Sequence, residues 1–303
     1  MSLVVEQAGA LASIQDRGRF GVRHLGVTQG GAVDWLSCAW ANWLLGNPLA
    51  APVVEVTLGN FRLRAETDAR LAICGADLGA TLDGQPIAPG HAFTISRGQL
   101  LTFSQPRHGV RAYLAAPGGF QAPRVLGSCA TVRREQMGGL ADDGRALRAG
   151  DRLCWQGHAA VSRELPAQAI TALSGGVLSV VPGAQIAAFS GTSLFAAFNG
   201  EWVVDQRADR MGVRLLGPTL HCRASSMVSE GIPLGAIQVP ADGQPIILLN
   251  DRQTIGGYPR LGALTPLAVA QLAQCLPGSV IRLRPVSLEA AQREQRSLLN
   301  QWR

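Results

Sequence analysis

Short apolar runs separated by turn residues dominate the chain. Phe61-Arg62-Leu63-Arg64 alternates apolar with charged positions, and Ala92 to Ser96, Leu100 to Ser104, Val110 to Ala115 and Ile246 to Leu249 are runs of similar length. Period-two alternation marks a strand with one buried face. Turn pairs punctuate the runs at Pro89-Gly90, Arg97-Gly98, Pro117-Gly118, Asp143-Gly144, Ala149-Gly150, Pro182-Gly183, Asp242-Gly243 and Pro277-Gly278. Regular strand-and-turn spacing predicts barrels or sandwiches. No alternation of strand with long helix points to a doubly wound sheet.

Three segments carry helical patterns instead. Asp34 is placed to cap a helix whose Leu36, Ala39, Trp40, Trp43 and Leu44 share one face, with Gly46 stopping it. Thr265-Pro266 opens a second that runs toward Pro277-Gly278, with proline at the first helical position. Ser287 to Trp302 reads as a polar C-terminal helix. Trp35, Trp40 and Trp43 are read as core residues or as contacts to another chain. The stretch Leu165 to Gly200 carries no charged residue. Pro166, Pro182 and several glycines and serines interrupt it, so strands and turns are expected there and no membrane span.

A length of 303 residues suggests two domains. We place an N-terminal β lobe at 1–165 and a C-terminal barrel lobe at 177–303, joined by the Ala-, Ser-, Pro- and Gly-rich stretch Gly157 to Gly176. A faint echo supports two lobes. Asp16-Arg17 leads into Gly21-Val22-Arg23 as Asp209-Arg210 leads into Gly212-Val213-Arg214, and Asp83-Gly84-Gln85-Pro86-Ile87 recurs at Asp242 to Ile246.

Hydrophobic residues make up 47% and charged residues 16%, which fits a packed core and not a disordered chain. All 27 basic residues are arginine. Without lysine there is no Schiff-base or lysine general base, no biotinyl-lysine on this chain and no GxxxxGK[ST] phosphate loop. The net charge of +6 comes from arginines scattered singly or in pairs among few aromatics, so nucleic acid is not expected as a partner. The six cysteines form no CxxC pair, and a reducing cytoplasm is expected. The N-terminus has no basic segment followed by a long apolar one, so it does not read as a signal peptide. No GxSxG or HExxH motif occurs, and the five histidines stand apart and read as structural.

Any chemistry therefore rests on carboxylates, guanidiniums, amides and backbone donors, and two stretches concentrate them. The first runs from Gln15-Asp16-Arg17-Gly18-Arg19 through Gln29-Gly30-Gly31 to Asp34. Glycines there let backbone N–H groups approach an anion, and arginine forks suit carboxylate or phosphate oxygens. The second runs from Ser229-Glu230 through Gln238 to Pro240, then Asn250-Asp251-Arg252-Gln253 to Gly256-Gly257-Tyr258-Pro259. It sets polar groups in apolar, glycine-rich surroundings where a ligand is one possible partner.

With IQDRGRFGVRHLGVTQGGAVD (14–34), VEVTLGN (54–60), ICGADL (73–78), LAAPGGF (114–120), GRALRAGDRL (144–153), DRMGVRLLGP (209–218) and SEGIPLGAIQVPADGQPIILLNDRQTIGGYP (229–259), the chain resembles a known family. This is the C-subunit family of bacterial 5-oxoprolinase, also called KipA or allophanate hydrolase subunit 2, similar to the carboxyltransferase domain of urea carboxylase. Ala208 and Val213 depart from the pattern, which has serine and commonly an aromatic there.

The resemblance implies a mainly β, two-lobed, cyclophilin-like β-barrel architecture with a few short helices. It implies assembly with a KipI-like B subunit and an A subunit into a complex that opens 5-oxoproline, a small amide, to glutamate with ATP and Mg²⁺. Under it, Asp16, Asp34, Glu55, Glu230 and Asp251 are the candidates for proton transfer or for orienting Mg²⁺. Arg17, Arg19, Gln29, Gln238, Arg252, Gln253 and Tyr258 are the candidates for substrate binding. Gly30, Gly31, Gly256 and Gly257 are the backbone donors, and no residue is assigned as a permanent metal ligand. Two alternatives accompany this expectation. One is a biotin-dependent carboxyltransferase component acting on urea or a related amide, with biotin on another chain. The other is a non-enzymatic protein that sequesters a KipI-like inhibitor of a sensor kinase.

Overall fold

The computed structural model describes residues 1–9, 11–157, 163–166, 176–223 and 227–302. Two compact units emerge, one of Met1–Val22 and Gln29–Leu173, the other of Arg23–Thr28 and Ser174–Arg303. A short piece of the N-terminal sequence therefore folds with the second unit. Most of the linker-like stretch Gly157 to Gly176 lies outside the described residues.

The first unit contains β1 (Ser2–Gln7), β2 (Ala12–Gln15), β3 (Val53–Thr57), β4 (Phe61–Ala65), β5 (Ala69–Asp77), β6 (Ala80–Leu82), β7 (Gln85–Pro86), β8 (His91–Ile95), β9 (Leu100–Phe103), β10 (His108–Ala115) and β11 (Arg152–Cys154). Six pair in the order β11-β1-β4-β9-β6-β7 and five in the order β2-β3-β10-β5-β8. The alternation in Phe61-Arg62-Leu63-Arg64-Ala65 becomes buried and exposed faces in turn. The buried faces of both sheets meet in one core, where Leu3, Val5, Leu63 and Leu101 join Ile14, Val56, Ile73 and Leu114. Phe61 lies opposite Phe103 in the β4–β9 register, ring centroids 6.3 Å apart.

Helix α1 (Trp35–Leu44) packs on β5 and β10 of the five-stranded sheet. The expected cap is present, since Asp34 accepts from Ser37 N–H at 2.9 Å, and Gly46 follows the helix with φ +72°. Trp40 and Trp43 meet edge to face at 5.3 Å, with Trp40 in the core.

In the second unit β12 (Val177–Pro182), β13 (Trp202–Val204), β14 (Gly212–Leu216), β16 (Ala236–Gln238), β17 (Ile246–Leu248), β19 (Arg260–Leu264) and β20 (Val280–Pro285) close a barrel in the order β12-β19-β16-β17-β14-β13-β20. Only the closing pair β12–β20 is parallel. Leu178, Val180, Trp202, Leu215, Ile237, Ile247, Leu261, Ile281 and Leu283 are buried on these strands. β15 (Glu230–Gly231) and β18 (Ile255–Gly256) pair as a separate ribbon. The mainly β, barrel-containing expectation holds.

The helices of this unit correct parts of the sequence reading. Helix α2 (Gly191–Asn199) lies in the charge-free stretch where strands and turns were expected. Its cap, Ser190 to Ser193 N–H at 3.2 Å, stands before weak helix formers, and only Ser193 and Ala197 are buried on it. Too few apolar positions face the core for the helical period to show. Helix α3 (Pro266–Leu272) keeps its Thr265 cap but ends earlier than expected, because Gln274 and Cys275 turn back to Gln271 and Leu272 with i→i−3 bonds. Helix α4 (Leu288–Asn300) begins at the Ser287 cap as expected.

The internal echo does not survive as shared conformation. Asp83 and Gly84 both have positive φ (46° and 82°) in the tight β6–β7 turn, as a type I′ turn requires. In the second copy only Gly243 does (72°), in a turn closed by its N–H to Pro240 C=O at 2.9 Å. Arg23–Leu25 form a 3-10 turn, whereas Gly212–Leu216 form strand β14.

Barrel closure leaves no room for a side chain at Gly262, where a Cβ would strike the Val181 carbonyl and Pro182 Cα. Gly262→Ala is expected to cost roughly 2–4 kcal/mol in denaturant unfolding, whereas Gly278→Ala, in open space at φ +86°, should cost about 1–2 kcal/mol from backbone strain alone.

Candidate functional site

In the first stretch, two glycine-punctuated segments run against each other. Arg19 N–H donates to Gln29 C=O at 2.7 Å and Ala32 N–H to Asp16 C=O at 2.9 Å. The backbones approach so closely that a Cβ at Gly18 would meet Gly30 C=O at 2.7 Å, and one at Gly31 would meet the Arg17 carbonyl at 2.8 Å. Gly18 (φ +92°), Gly30 (+65°) and Gly31 (+94°) also take left-handed conformations. Gly30 and Gly31 thus have a structural reason to be glycine before any ligand is considered.

Asp16 ties this crossing to the chain near Ser128. Its carboxylate accepts from Gly18 N–H (2.8 Å), Ser128 Oγ (2.6 Å), Cys129 N–H (3.0 Å) and Cys129 Sγ (3.4 Å), with Arg124 Nη1 at 3.9 Å. Burial, and then the Asp16 charge, push the Cys129 thiol well above its usual range, so it remains a donor and not a nucleophile. Arg19 is 1% exposed and donates Nε to Val125 C=O (3.1 Å) and Nη2 to Ser128 C=O (3.4 Å). Burial lowers its pKa, and Asp16 opposes that most strongly among its neighbours. Arg19 therefore acts as a strut for the 125–128 backbone. Arg17 is exposed, with its guanidinium 5.1 Å from the Phe20 ring centre. Gln29 is nearly buried on the facing segment.

Asp34 and Glu55 lie deeper still. Tyr113 Oη accepts from Asp34 N–H at 2.9 Å and donates to Glu55 Oε2 at 2.8 Å; Glu55 Oε2 also accepts from Val33 N–H at 3.1 Å. Asp34 Oδ2 takes a further bond from Ser37 Oγ. Arg111 Nε stands 4.0 Å from Glu55. Burial, followed by the two carboxylates, raises the Tyr113 phenol well above its normal range, so it holds its proton at any working pH. The geometry gives Glu55 and Asp34 a framework role, organising the start of α1 against β3 and β10.

The second stretch forms a loop pair around the β15–β18 ribbon. Ile232 N–H donates to Thr254 C=O (3.0 Å) and Val239 N–H to Pro259 C=O (2.9 Å), which brings the two halves of the sequence-predicted cluster together. Gln238, 3% exposed, lies against Gly256, where a Cβ would sit 2.8 Å from its Nε2 and 2.6 Å from Ile232 Cδ1. Asp251 makes a two-point ion pair with Arg210, Oδ2 to Nε at 3.0 Å and Oδ1 to Nη2 at 3.1 Å. Arg252 is 2% exposed and donates to Ile232 C=O and Leu249 C=O, both at 3.1 Å. Burial, then the positive charge of Arg23, pull its pKa down to about 9 against the pull of Asp251, so it remains charged at neutral pH. Glu230 is exposed and paired with Arg260 Nη2, with Gln185 Nε2 at 3.1 Å. Gln253 is half-buried, and Tyr258 is 49% exposed.

Mg²⁺ and the phosphates of ATP would need several oxygen donors converging on one point. Among the described residues no three His, Cys, Asp or Glu side chains gather as a metal cluster. Asp16, Asp34, Glu230 and Asp251 each already accept from protein donors. These residues do not fit a Mg²⁺ site on this chain. Among the described residues no helix is long and apolar enough to cross a membrane.

Residues 25–285 match the family model described as carboxyltransferase domain, subdomain A and B. The chain belongs to this carboxyltransferase family. It is 38% identical over 291 residues to the C subunit of 5-oxoprolinase from Escherichia coli (strain K12), covering 95% of this chain and 93% of that protein. To the corresponding 5-oxoprolinase subunit of Haemophilus influenzae it is 36% identical over 286 residues, covering 94% and 91%. The crystal structure of the K. lactis urea amidolyase superposes with a TM-score of 0.91 at 27% identity, over 99% of this chain and 20% of that one. The chain spans about a fifth of that longer enzyme and nearly all of the two bacterial subunits.

Within this carboxyltransferase-family chain, sequence reasoning missed Tyr113, Ser128, Arg210, Arg260 and Arg23. Tyr113, one of two tyrosines, sits in an apolar strand and its hydroxyl alone signalled a buried polar partner. Arg23 and Arg210 lay inside the quoted motifs. Two outcomes are expected. Tyr113→Phe should destabilise the first unit by about 1–3 kcal/mol in urea unfolding, since Asp34 N–H and Glu55 each lose a buried bond. A thiol reagent at pH 8 should modify no more than three of the six cysteines while the protein is folded, because Cys38, Cys74 and Cys129 are buried and burial raises all three thiols.

Proposed function

We propose that this chain is the C subunit of an ATP-dependent 5-oxoprolinase, acting with a KipI-like B subunit and an A subunit to convert 5-oxoproline to glutamate. The observation that carries this reading is the higher sequence identity to the bacterial subunits. The two bacterial 5-oxoprolinase subunits are 38% and 36% identical to this chain, against 27% for the urea amidolyase that shares its fold.

In this reading the chain binds and orients the amide, and its partners hold ATP and Mg²⁺, for which its own carboxylates are poorly disposed. The loop pair of the second unit is the substrate-facing element. Gln253 and Tyr258 are accessible polar side chains not held by an ion pair, unlike Glu230, and the Gly257 backbone beside them is of the type that stabilises charge on an amide oxygen. Gln238, packed on Gly256, fixes how closely that backbone can be approached. Arg17 is the exposed guanidinium of the first stretch and the carboxylate-binding candidate there. Arg19 and Arg252 brace the loops that carry these groups. Six free cysteines agree with work in a reducing cytoplasm.

The second reading, a carboxyltransferase component moving CO₂ from carboxybiotin to urea or a related amide, draws on the family model and the urea amidolyase fold. With no lysine in the chain, its biotin would arrive on another polypeptide. The deciding experiment co-purifies the chain with its A and B partners and supplies 5-oxoproline and ATP. Glutamate and ADP should form in equal amounts. Turnover only with carboxybiotin and urea would move the assignment to the second reading, and tight binding of the B chain with no turnover under either condition would favour sequestration of a KipI-like protein. In the active complex, Gln253→Ala and Tyr258→Phe should each lower kcat/KM by about tenfold or more, with the melting temperature unchanged.

A further inference from the structure

Arg23 belongs by sequence to the N-terminal motif but folds with the second unit. Its Nη2 lies within hydrogen-bond distance of three carbonyls, Ile232 (2.9 Å), Thr254 (3.0 Å) and Gln253 (3.2 Å), so its two N–H groups are shared among them. These lie at the two edges of the loop pair that carries Glu230, Gln238, Arg252, Gln253 and Tyr258. The Ile232 carbonyl also accepts from Arg252 Nε, and the Thr254 carbonyl from Ile232 N–H. One guanidinium nitrogen therefore holds both loops where the ribbon begins.

We propose that Arg23 is a positioning residue that sets the spacing of the 230–238 and 250–258 loops and thereby the placement of Gln253 for the amide substrate. This inference rests on the 5-oxoprolinase reading for its chemistry, but the clamp itself does not. Reaching convergent carbonyls this far from its own main chain takes a long, permanently charged donor, which glutamine is not. The arrangement also has a cost, which argues against a neutral surface contact. Nη1 of Arg23 is buried with no hydrogen-bond partner among the described residues, burial lowers the guanidinium pKa, and Arg23 repels the buried Arg252. Asp251, the nearest carboxylate to Arg252 in the chain, is engaged by Arg210. The shared Ile232 carbonyl oxygen carries the partial negative charge that both guanidiniums face.

The test uses the full chain, alone and in complex with its partners, as Arg23→Gln and Arg23→Lys. Amide hydrogen exchange on the free chain is read at Ile232 and at 254–256, with β1–β10 of the first unit as the internal reference. Arg23→Gln should speed exchange at those loop amides by about tenfold with no change in the first unit, and Arg23→Lys should give an intermediate effect. In the complex, Arg23→Gln should raise KM for 5-oxoproline by about tenfold while kcat changes less than about threefold, with Arg23→Lys restoring part of the loss. Unchanged loop exchange in a folded Arg23→Gln chain overturns the clamp. Faster loop exchange with unchanged KM in an active complex overturns the positioning role, as would a fall in activity that merely tracks the unfolded fraction. If the wild-type complex does not turn over 5-oxoproline, the functional reading fails, while the exchange measurement still decides the clamp.

Discussion

Backbone carbonyls in irregular, buried loops need donors, and in this protein arginine side chains supply many of them. Arg19 serves Val125 and Ser128, Arg252 serves Ile232 and Leu249, and Arg23 serves Ile232, Gln253 and Thr254. A carbonyl that loses water on folding and gains no donor costs about 1–3 kcal/mol. Loops as rich in glycine as these have few side chains of their own to brace them. Their shape depends on charged groups reaching in from elsewhere in the chain.

Carboxylates do the complementary task for orphan N–H groups. Asp34 accepts from Ser37 at the start of α1, Asp16 from Gly18 and Cys129, and Glu55 from Val33. Buried charges are tolerated in these places because each faces several opposing dipoles, and removing one partner would leave the other exposed to the full desolvation penalty. The absence of lysine fits this use. A planar guanidinium presents up to five donors in a fixed fork, whereas an ammonium offers one compact point. Such bracing holds the Gln253 and Thr254 backbone, next to Gly256 and Tyr258.

Several elements were legible in the order of residues. The Phe61–Ala65 alternation predicted one buried face, and Asp34, Thr265 and Ser287 marked helix starts where caps are found. Helix α2 was hidden because its residues lack both charge and a clear apolar stripe. Asp-Gly-Gln-Pro-Ile occurs twice with different turns, since the φ of the aspartate is decided by the strands on either side. In the two candidate stretches, residue types did not reveal which side chains are buried or what each one touches. Arg17 and Arg19 look alike in sequence, yet one is exposed and the other is 1% exposed. Asp251 and Glu230 are both carboxylates among glycines, and each proves to be held by an arginine distant in sequence, Arg210 and Arg260.

What the amino-acid sequence determined by itself was local and periodic: strand faces, caps, tight turns, the absence of lysine chemistry and the ordered motifs that mark the family. These depend on neighbours a few residues apart, so they can be read from one end to the other. Only the tertiary structure decided which charges are buried and what each one touches. Arg23 and Ile232 are separated by 209 residues, and no local rule links them. Burial depends on which distant backbone arrives beside a side chain, and that is settled when the barrel closes and the loops fold over it.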